Sequence, residues 1–291
     1  MNFKPLDMDS KKIFDQFLTP YPFLSSTYNF TNLFIWRNAH KIHYAHTDQA
    51  LFVKKEKEKT FFLPPICKNK EQRKAAYDSL LSYMEENSLE KVMRDVSAQQ
   101  LEEIRQLGYE ITVESDRDSA EYIYSVESMS TFSGKDLHSK RNHFNNFIRY
   151  NQYTIRYIEE SKEDCLALAL KWYEDSSQSE ALRHELTGIR TLLEHQEFFG
   201  IVGISVFVDE ICQGFSLLEV LNDEVILNHI EKADRRISGL YAFLARTSME
   251  YFGKGIRYTN REQDMGIPGL RKSKESYMPE FLEKKYIVTF H

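Results

Sequence analysis

The first apolar pattern in the chain has a helical period. Ile13, Phe14, Phe17 and Leu18 follow Ser10 at the i, i+3, i+4 spacing that gives a helix one apolar face, and the pattern stops before Pro20. An aromatic segment, Tyr21 to Trp36, comes next. The period then shortens to two: Ile42 to His46, Leu51 to Lys54 and Thr60 to Leu63 predict strands of a meander closed by Pro64-Pro65. Two helices follow. One carries Tyr77, Leu80, Leu81 and Met84 on one face; the other opens at Ser97, with Gln100 completing a capping box, and closes at Gly108 after Leu107.

A second pass of similar order starts near Tyr122. A strand at Tyr122 to Val126 precedes a loop with Gly134, a helix from Lys135 to Tyr150 and a strand at Thr154 to Ile158. Helices with Leu166, Leu170 and Tyr173, then Leu186, Ile189 and Leu193, lead to three apolar segments at Gly200 to Val208, Gly214 to Leu221 and Glu224 to Ile230. Short polar bends, Asp209-Glu210 and Asn222-Asp223, join these three into an antiparallel meander. A helix from Ser238 to Phe252 follows, with Leu240, Phe243, Leu244, Thr247 and Tyr251 on its face and Gly253 as its cap. A strand at Ile256 to Asn260, a glycine-containing loop, a short helix and a strand at Tyr286 to Phe290 complete the chain. A meander feeding a helix and then a strand resembles the element order of the GNAT acyltransferase fold, and two passes of it fit the length. By that analogy the expectation is an α/β (α+β) protein of two tandem GNAT-like domains, residues 1–127 and 128–291, each a mixed, mostly antiparallel sheet flanked by helices, with the active site in the second.

Composition narrows this picture. The longest apolar stretch, Ile201 to Val208, is far short of the ~20 residues that span a bilayer, so no stable membrane insertion is expected. The N-terminus lacks the pattern of a secretory signal, and the expected compartment is cytoplasmic. With 291 residues and a net charge of −6, there is room for two cores, and generic nucleic-acid binding is not expected. Cys67, Cys165 and Cys212 are odd in number and far apart, which reads as reduced thiols rather than a disulfide framework or a zinc site. No spacing of His or acidic residues suggests a metal, and a P-loop and a Gly-x-Ser-x-Gly elbow are absent.

Two segments carry candidate chemistry. In Glu231-Lys232-Ala233-Asp234-Arg235-Arg236-Ile237-Ser238-Gly239-Leu240-Tyr241, a strand turns into a helix N-terminus, where free N–H groups and the helix dipole suit a phosphate. Arg235, Arg236, Ser238, Gly239 and Leu240 are the donor-phosphate candidates. Arg236 and Gly239 fit the Arg-x-x-Gly-x-Gly/Ala signature of GNAT enzymes, but Tyr241 stands where its second small residue belongs. The plainer alternative makes Ser238 an N-cap and the arginines solvated charges. The helix between Lys135 and Tyr150, with Lys135, His138, Lys140, Arg141, His143 and Arg149 and no acid after Asp136, is either a solvated face or a contact for a tRNA backbone or an acidic membrane surface.

The second segment is the tail. Gly269, Leu270, Arg271, Lys274, Tyr277, Pro279, Glu280 and Tyr286 resemble the closing motif of the C-terminal synthase domain of phosphatidylglycerol lysyltransferases. Gly134-Lys135-Asp136-Leu137 with Arg141, Asn142 and Asn145 is similar to that family's interdomain helix, and Asn260-Arg261-Glu262-Gln263-Asp264 resembles a bacterial subgroup of it. The resemblance implies a tandem GNAT, Fem-related acyl- or aminoacyl-transferase. The implied donor is an acyl-CoA or an aminoacyl-tRNA, the acceptor a small molecule or peptide, and no metal is used. It also implies that Lys274 stabilises the oxyanion of acyl transfer, that Arg271 on the same helical face holds a phosphate or carboxylate, and that Asn260 and Tyr277 line the substrate site.

The chain departs from the family at one place. Where the lipid-modifying enzymes carry Asp-x-x-Arg, it has Asn228 and Glu231. A carboxylate in place of a cation reverses the local field, which points away from an anionic lipid and toward a soluble acceptor. Glu231 is then either a general base for an amine acceptor or a salt-bridged strand-end carboxylate. The alternative from another class is a GNAT-fold binding module that has lost the chemistry.

Overall fold

A computed structural model of the chain describes residues 1–19 and 23–291; Pro20, Tyr21 and Pro22, and with them the start of the aromatic segment, lie outside the described residues. The chain divides into two compact units. One takes the described part of Met1–Pro22 with Thr27–Ala120 and Glu283–His291, the other Phe23–Ser26 with Glu121–Leu282. The units are thus not the consecutive halves, 1–127 and 128–291, that element order alone suggests.

In the first unit, β1 (Lys4–Pro5), α1 (Lys11–Leu18) and α2 (Phe30–Ile35) precede a meander of β2 (His43–His46), β3 (Ala50–Glu56) and β4 (Thr60–Phe62). Then come β5 (Ile66–Cys67), α3 (Arg73–Glu86), β6 (Val92–Ser97) and α4 (Ala98–Gln106), whose Ser97–Gln100 capping box forms as its sequence dictates. The sheet order is β1-β2-β3-β4-β6, and residues of the last strand of the chain pair antiparallel with β6. Tyr77, Leu80 and Met84 of α3 pack with Met93, Val96, Leu101 and Ile104 in its core.

The second unit carries the candidate site. Its strand β7 (Ile111–Ser125) contributes Glu121–Ser125, and a short helix α5 (Val126–Thr131), not foreseen from the sequence, follows. Next are α6 (His138–Tyr150), β8 (Tyr153–Tyr157), α7 (Lys162–Glu174), α8 (Glu180–Glu194) and α9 (Gln196–Phe199). The meander is β9 (Ile201–Val208), β10 (Ile211–Asn222) and β11 (Val225–Ala233); α10 (Leu240–Phe252), β12 (Tyr258–Gln263) and α11 (Pro268–Glu275) follow, and β13 (Phe281–Phe290), which belongs from Glu283 to the first unit, closes the chain. The sheet runs β7-β12-β11-β10-β9-β8, antiparallel throughout except for the parallel pair β11/β12, which a crossover through α10 makes necessary.

Helix α10 is nearly all apolar because it lies in the core: Leu240, Phe243 and Leu244 are at most 2% exposed. Phe144 of α6 stacks on Phe243 and Phe147 packs tilted against it, with ring centroids 5.5 and 4.6 Å from that of Phe243. Three details differ from the periodicity. Tyr251 is 44% exposed, edge-on to Tyr157, rather than on the inner face. On α7 the buried residues are Cys165, Leu168 and Ala169, while Leu166, Leu170 and Tyr173 are half-buried, because several apolar stripes compete on one short helix. Helix α6 starts at His138, three residues later than read from the sequence.

Candidate functional site

Two bulges shape the centre of the second unit. Leu217 pairs with Ile230 and Leu218 with Asn228, so His229 is an extra residue on β11. Regular alternation would place Asn228 and Glu231 on opposite faces; the bulge turns them to one face, where Asn228 Nδ2 donates to Glu231 Oε2 at 3.2 Å. The side chain of His229 is fully buried between Glu219 on β10 (3.0 Å) and Glu262 on β12 (3.2 Å). Burial opposes a charge on the ring, but hydrogen bonds and attraction from the two carboxylates outweigh it and raise its pKa to about 9.

The bulge on β12 explains the tail lysine. Asn260 pairs with Ile123 and Gln263 with Glu121, leaving one extra residue on β12, and Glu262 adopts φ +56° while its N–H donates to Asn260 Oδ1 at 2.7 Å. The kinked backbone aims three successive carbonyls at one point. Lys274 Nζ sits there, donating to the oxygens of Arg261 (2.5 Å), Glu262 (3.1 Å) and Gln263 (2.6 Å). Burial lowers its pKa to about 8, and all three N–H donors of the ammonium are engaged. It therefore ties α11 to β12, and stabilising a substrate oxyanion would require one of these bonds to break.

The other tail and strand candidates are also engaged. Arg271 forks onto buried Asp264 at 2.8 and 2.9 Å, and Asp264 also accepts from Tyr122 Oη at 2.6 Å and Gly266 N at 2.9 Å. Although burial works the other way, these donors hold the Asp264 carboxyl well below the usual range. Asn260, fully buried, donates to Leu24 O at 2.7 Å and to Glu121 Oε2 at 2.5 Å, and Glu121 also accepts from Ser25 and Ser26. It anchors the Phe23–Ser26 segment rather than facing a substrate.

The turn before α10 differs from a phosphate cradle. Strand β11 runs to Ala233, and the helix cap is Gly239 at φ +84°, not Ser238, which is exposed and makes no capping bond. A Cβ on Gly239 would lie 2.1 Å from the carbonyl oxygen of His143 on α6. The backbone of α6 thus packs directly against Gly239, which leaves no room there for a side chain. Leu240 N donates to Ile237 O at 3.4 Å, and its side chain is buried. Arg236 pairs with Asp234, Arg235 lies 5.1 Å from the Trp172 ring, and both arginines line a cleft of ≈ 200 Å³ with Lys171, Trp172 and Asp175.

The remaining candidates come together. Glu231 Oε1 accepts from Arg261 Nη2 at 2.6 Å, so the cation expected on β11 is supplied by the neighbouring strand, and the expected field reversal is offset. Burial disfavours the guanidinium charge, yet Glu231 and two tyrosines outweigh this and raise its pKa further. Arg261 Nη1 and Asn228 Oδ1 are nevertheless buried without a hydrogen-bond partner. The ring of Tyr277, 6% exposed, lies beneath Arg261 (4.9 Å) and Lys140 of α6 (3.8 Å); burial pushes the Tyr277 hydroxyl up to about 12. Burial, reinforced by Arg261 and partly offset by Glu231, lowers Lys140 to about 8. The centre is therefore Asn228, Glu231, Arg261, Tyr277 and Lys140, with a free donor and a free acceptor on adjacent strands. Arg261 and Lys140 were not among the residues singled out for the site. Arg261 lay within a recognised segment, whereas Lys140 sat unmarked among other basic residues of its helix.

Residues 19–289 match the family described as phosphatidylglycerol lysyltransferase, C-terminal. A conserved protein of unknown function from Bacteroides thetaiotaomicron has the same fold over 100% of both chains, at 26% identity and a TM-score of 0.92. The structure of L-PGS from Bacillus licheniformis aligns with 96% of this chain and 91% of its own, at 13% identity and a TM-score of 0.67. A tandem GNAT protein from the clavulanic acid biosynthesis pathway aligns over 99% and 98%, at 8% identity and a TM-score of 0.53, so the fold is of the tandem GNAT kind. An uncharacterised protein of Mycoplasmoides gallisepticum is 28% identical over 173 residues, 58% of this chain; the match spans 56% of that relative's length. Among the described residues, no helix is long and apolar enough to cross a membrane.

Proposed function

The chain belongs to the family of phosphatidylglycerol lysyltransferase C-terminal domains, and on that premise we propose that it is an acyltransferase that moves an aminoacyl group from an ester donor to an amine or hydroxyl of a small-molecule or peptide acceptor. The observation that carries this reading is the pair of unused buried groups, Arg261 Nη1 and Asn228 Oδ1. A buried donor without a partner costs about 1–3 kcal/mol, and a ligand that satisfies it recovers that cost. An ester carbonyl that becomes an oxyanion fits Arg261, because a fixed cation favours the transition state over the ground state. Glu231 holds the guanidinium in place, and Asn228 Oδ1 offers an acceptor for an N–H of the substrate.

Tyr241, where the GNAT signature has a small residue, favours an aminoacyl ester, as in aminoacyl-tRNA, over acyl-CoA, because a bulky side chain there hinders close approach of a pyrophosphate to the backbone. The test is transfer from tRNA charged with radiolabelled amino acids to hydroxylamine, run beside acetyl-CoA as the donor. Label transfer from charged tRNA that falls at least about 100-fold in Arg261→Gln supports the reading. Transfer from acetyl-CoA alone overturns the donor assignment.

A binding module without catalysis is the second reading. It is favoured by the saturation of Lys274 and Arg271. Tight binding of charged tRNA with no turnover would decide for it.

A further inference from the structure

Lys140 stands apart from the other buried cations of this unit. Lys274, Arg271 and Lys232 each reach an oxygen: the β12 carbonyls, Asp264, and Glu185 at 2.7 Å. Lys140 reaches none. No carboxylate or carbonyl lies within hydrogen-bonding distance of its Nζ among the described residues, and its one close partner is the Tyr277 ring at 3.8 Å. It is half-buried, and the groups that face it are Arg261 from β12, Glu231 from β11 and Tyr277 after α11. Arg261 sits over the same ring, with its Nη1 unpartnered.

An amine half-buried with no anion in hydrogen-bonding reach and beside a permanent cation gives up its proton more readily than a solvated lysine, against the weaker opposing pull of Glu231 and the Tyr277 ring face. The surroundings agree in direction, with burial as the largest cause and a value of about 8. A base poised near the working pH is what transfer to an ammonium or hydroxyl acceptor demands.

We propose that Lys140 is the catalytic base of the transfer, a role that rests on the acyltransferase reading above. Its neutral amine takes the proton from the acceptor N–H or O–H as the acceptor's lone pair forms a bond to the donor carbonyl carbon. The carbonyl π electrons move onto oxygen, and Arg261 Nη1 donates to the resulting oxyanion. When the intermediate collapses, the ester C–O bond breaks, and Lys140 returns the proton to the departing hydroxyl. No net proton is gained or lost, and no co-reactant is needed. Glu231 is a positioning residue that keeps Arg261, rather than Lys140, as its partner.

Two measurements on the full chain test this. Competitive labelling with trace acetic anhydride between pH 6.5 and 11, read lysine by lysine by mass spectrometry, gives a midpoint for Lys140 near 8. A Lys140 midpoint at the ordinary lysine value of about 10.4 overturns the proposal. In the charged-tRNA to hydroxylamine assay, Lys140→Met lowers kcat about 100-fold or more with the donor KM within about threefold. Lys140→Arg keeps the charge and does not rescue, and the wild-type rise in rate through pH 8 disappears in both variants. A wild-type chain that transfers while Lys140→Met keeps its rate and pH profile sinks the base alone. A wild-type chain that transfers from neither donor sinks the acyltransferase reading, and the base with it.

Discussion

Two groups of cations lie in the same unit, and they differ in what their N–H donors touch. At the tail, Lys274 gives all three protons to the carbonyls of β12, and Arg271 forks onto Asp264. At the strand centre, Arg261 keeps one buried nitrogen unpartnered, and Lys140 touches only a ring face. A cation whose donors are filled by the fold stabilises the fold. One with donors to spare has something left for a ligand. The resemblance pointed to the first group, and the geometry shifts the candidate chemistry to the second.

Substitutions sharpen or break this contrast, and the largest effect is expected at the tail. Asp264→Ala leaves the Arg271 fork without its partner and also removes the acceptor of Tyr122, so stability falls by about 3–5 kcal/mol in urea or thermal unfolding. Lys274→Met strands three inward-facing carbonyls and costs about 3 kcal/mol or more, whereas a loss under 1 kcal/mol would show that the bonds are not formed in solution. A core control, Phe243→Ala, should cost about 3–5 kcal/mol, since it empties the space between α6 and the sheet. At the strand centre the expectation reverses. Lys140→Met should change stability by no more than about 0.5 kcal/mol in either direction, because no ion pair is lost.

A pH dependence adds a further test. His229 has a pKa of about 9 in the fold against 6.5 as a free side chain. The folded state therefore binds this proton more tightly than the unfolded one. Its contribution to stability is fully present below about pH 6.5 and is lost as the pH rises through 9. Between pH 6 and 7, where Lys140 and Lys274 still hold most of their protons, wild-type stability should fall more steeply than that of His229→Gln. Equal slopes would mean that the ring is not held as a cation.

Much of the architecture was legible in the chain. The meander of β9, β10 and β11, the apolar α10 and the α4 capping box follow from period, turn residues and Ser97 with Gln100. The site was legible only in part. Period-two reasoning assigns Asn228 and Glu231 to opposite faces, and only the extra residue His229 joins them. A bulge leaves no mark in hydropathy, so neither that contact nor the carbonyl trap around Lys274 could be read from spacing. Lys140 lies on α6, some 90 residues before Glu231 and over 100 before Arg261 and Tyr277. Nothing in its local sequence distinguishes it from Lys135 or Arg149 on the same basic segment. The identity of Gly239 was legible, but its packing was not: the His143 carbonyl on α6 lies where a Cβ would be.

The central claim is that the unfilled donors at the strand centre, not the helix N-terminus, form the ligand site. It is tested most directly by calorimetric titration of the intact chain with an aminoacyl-adenosine 3′-amide, a stable mimic of the charged tRNA end, and separately with coenzyme A. The account predicts that the mimic binds, that Arg261→Gln weakens it by at least about tenfold, and that coenzyme A gives no heat. Binding of coenzyme A that is lost in Arg236→Ala, with the mimic silent, would contradict it.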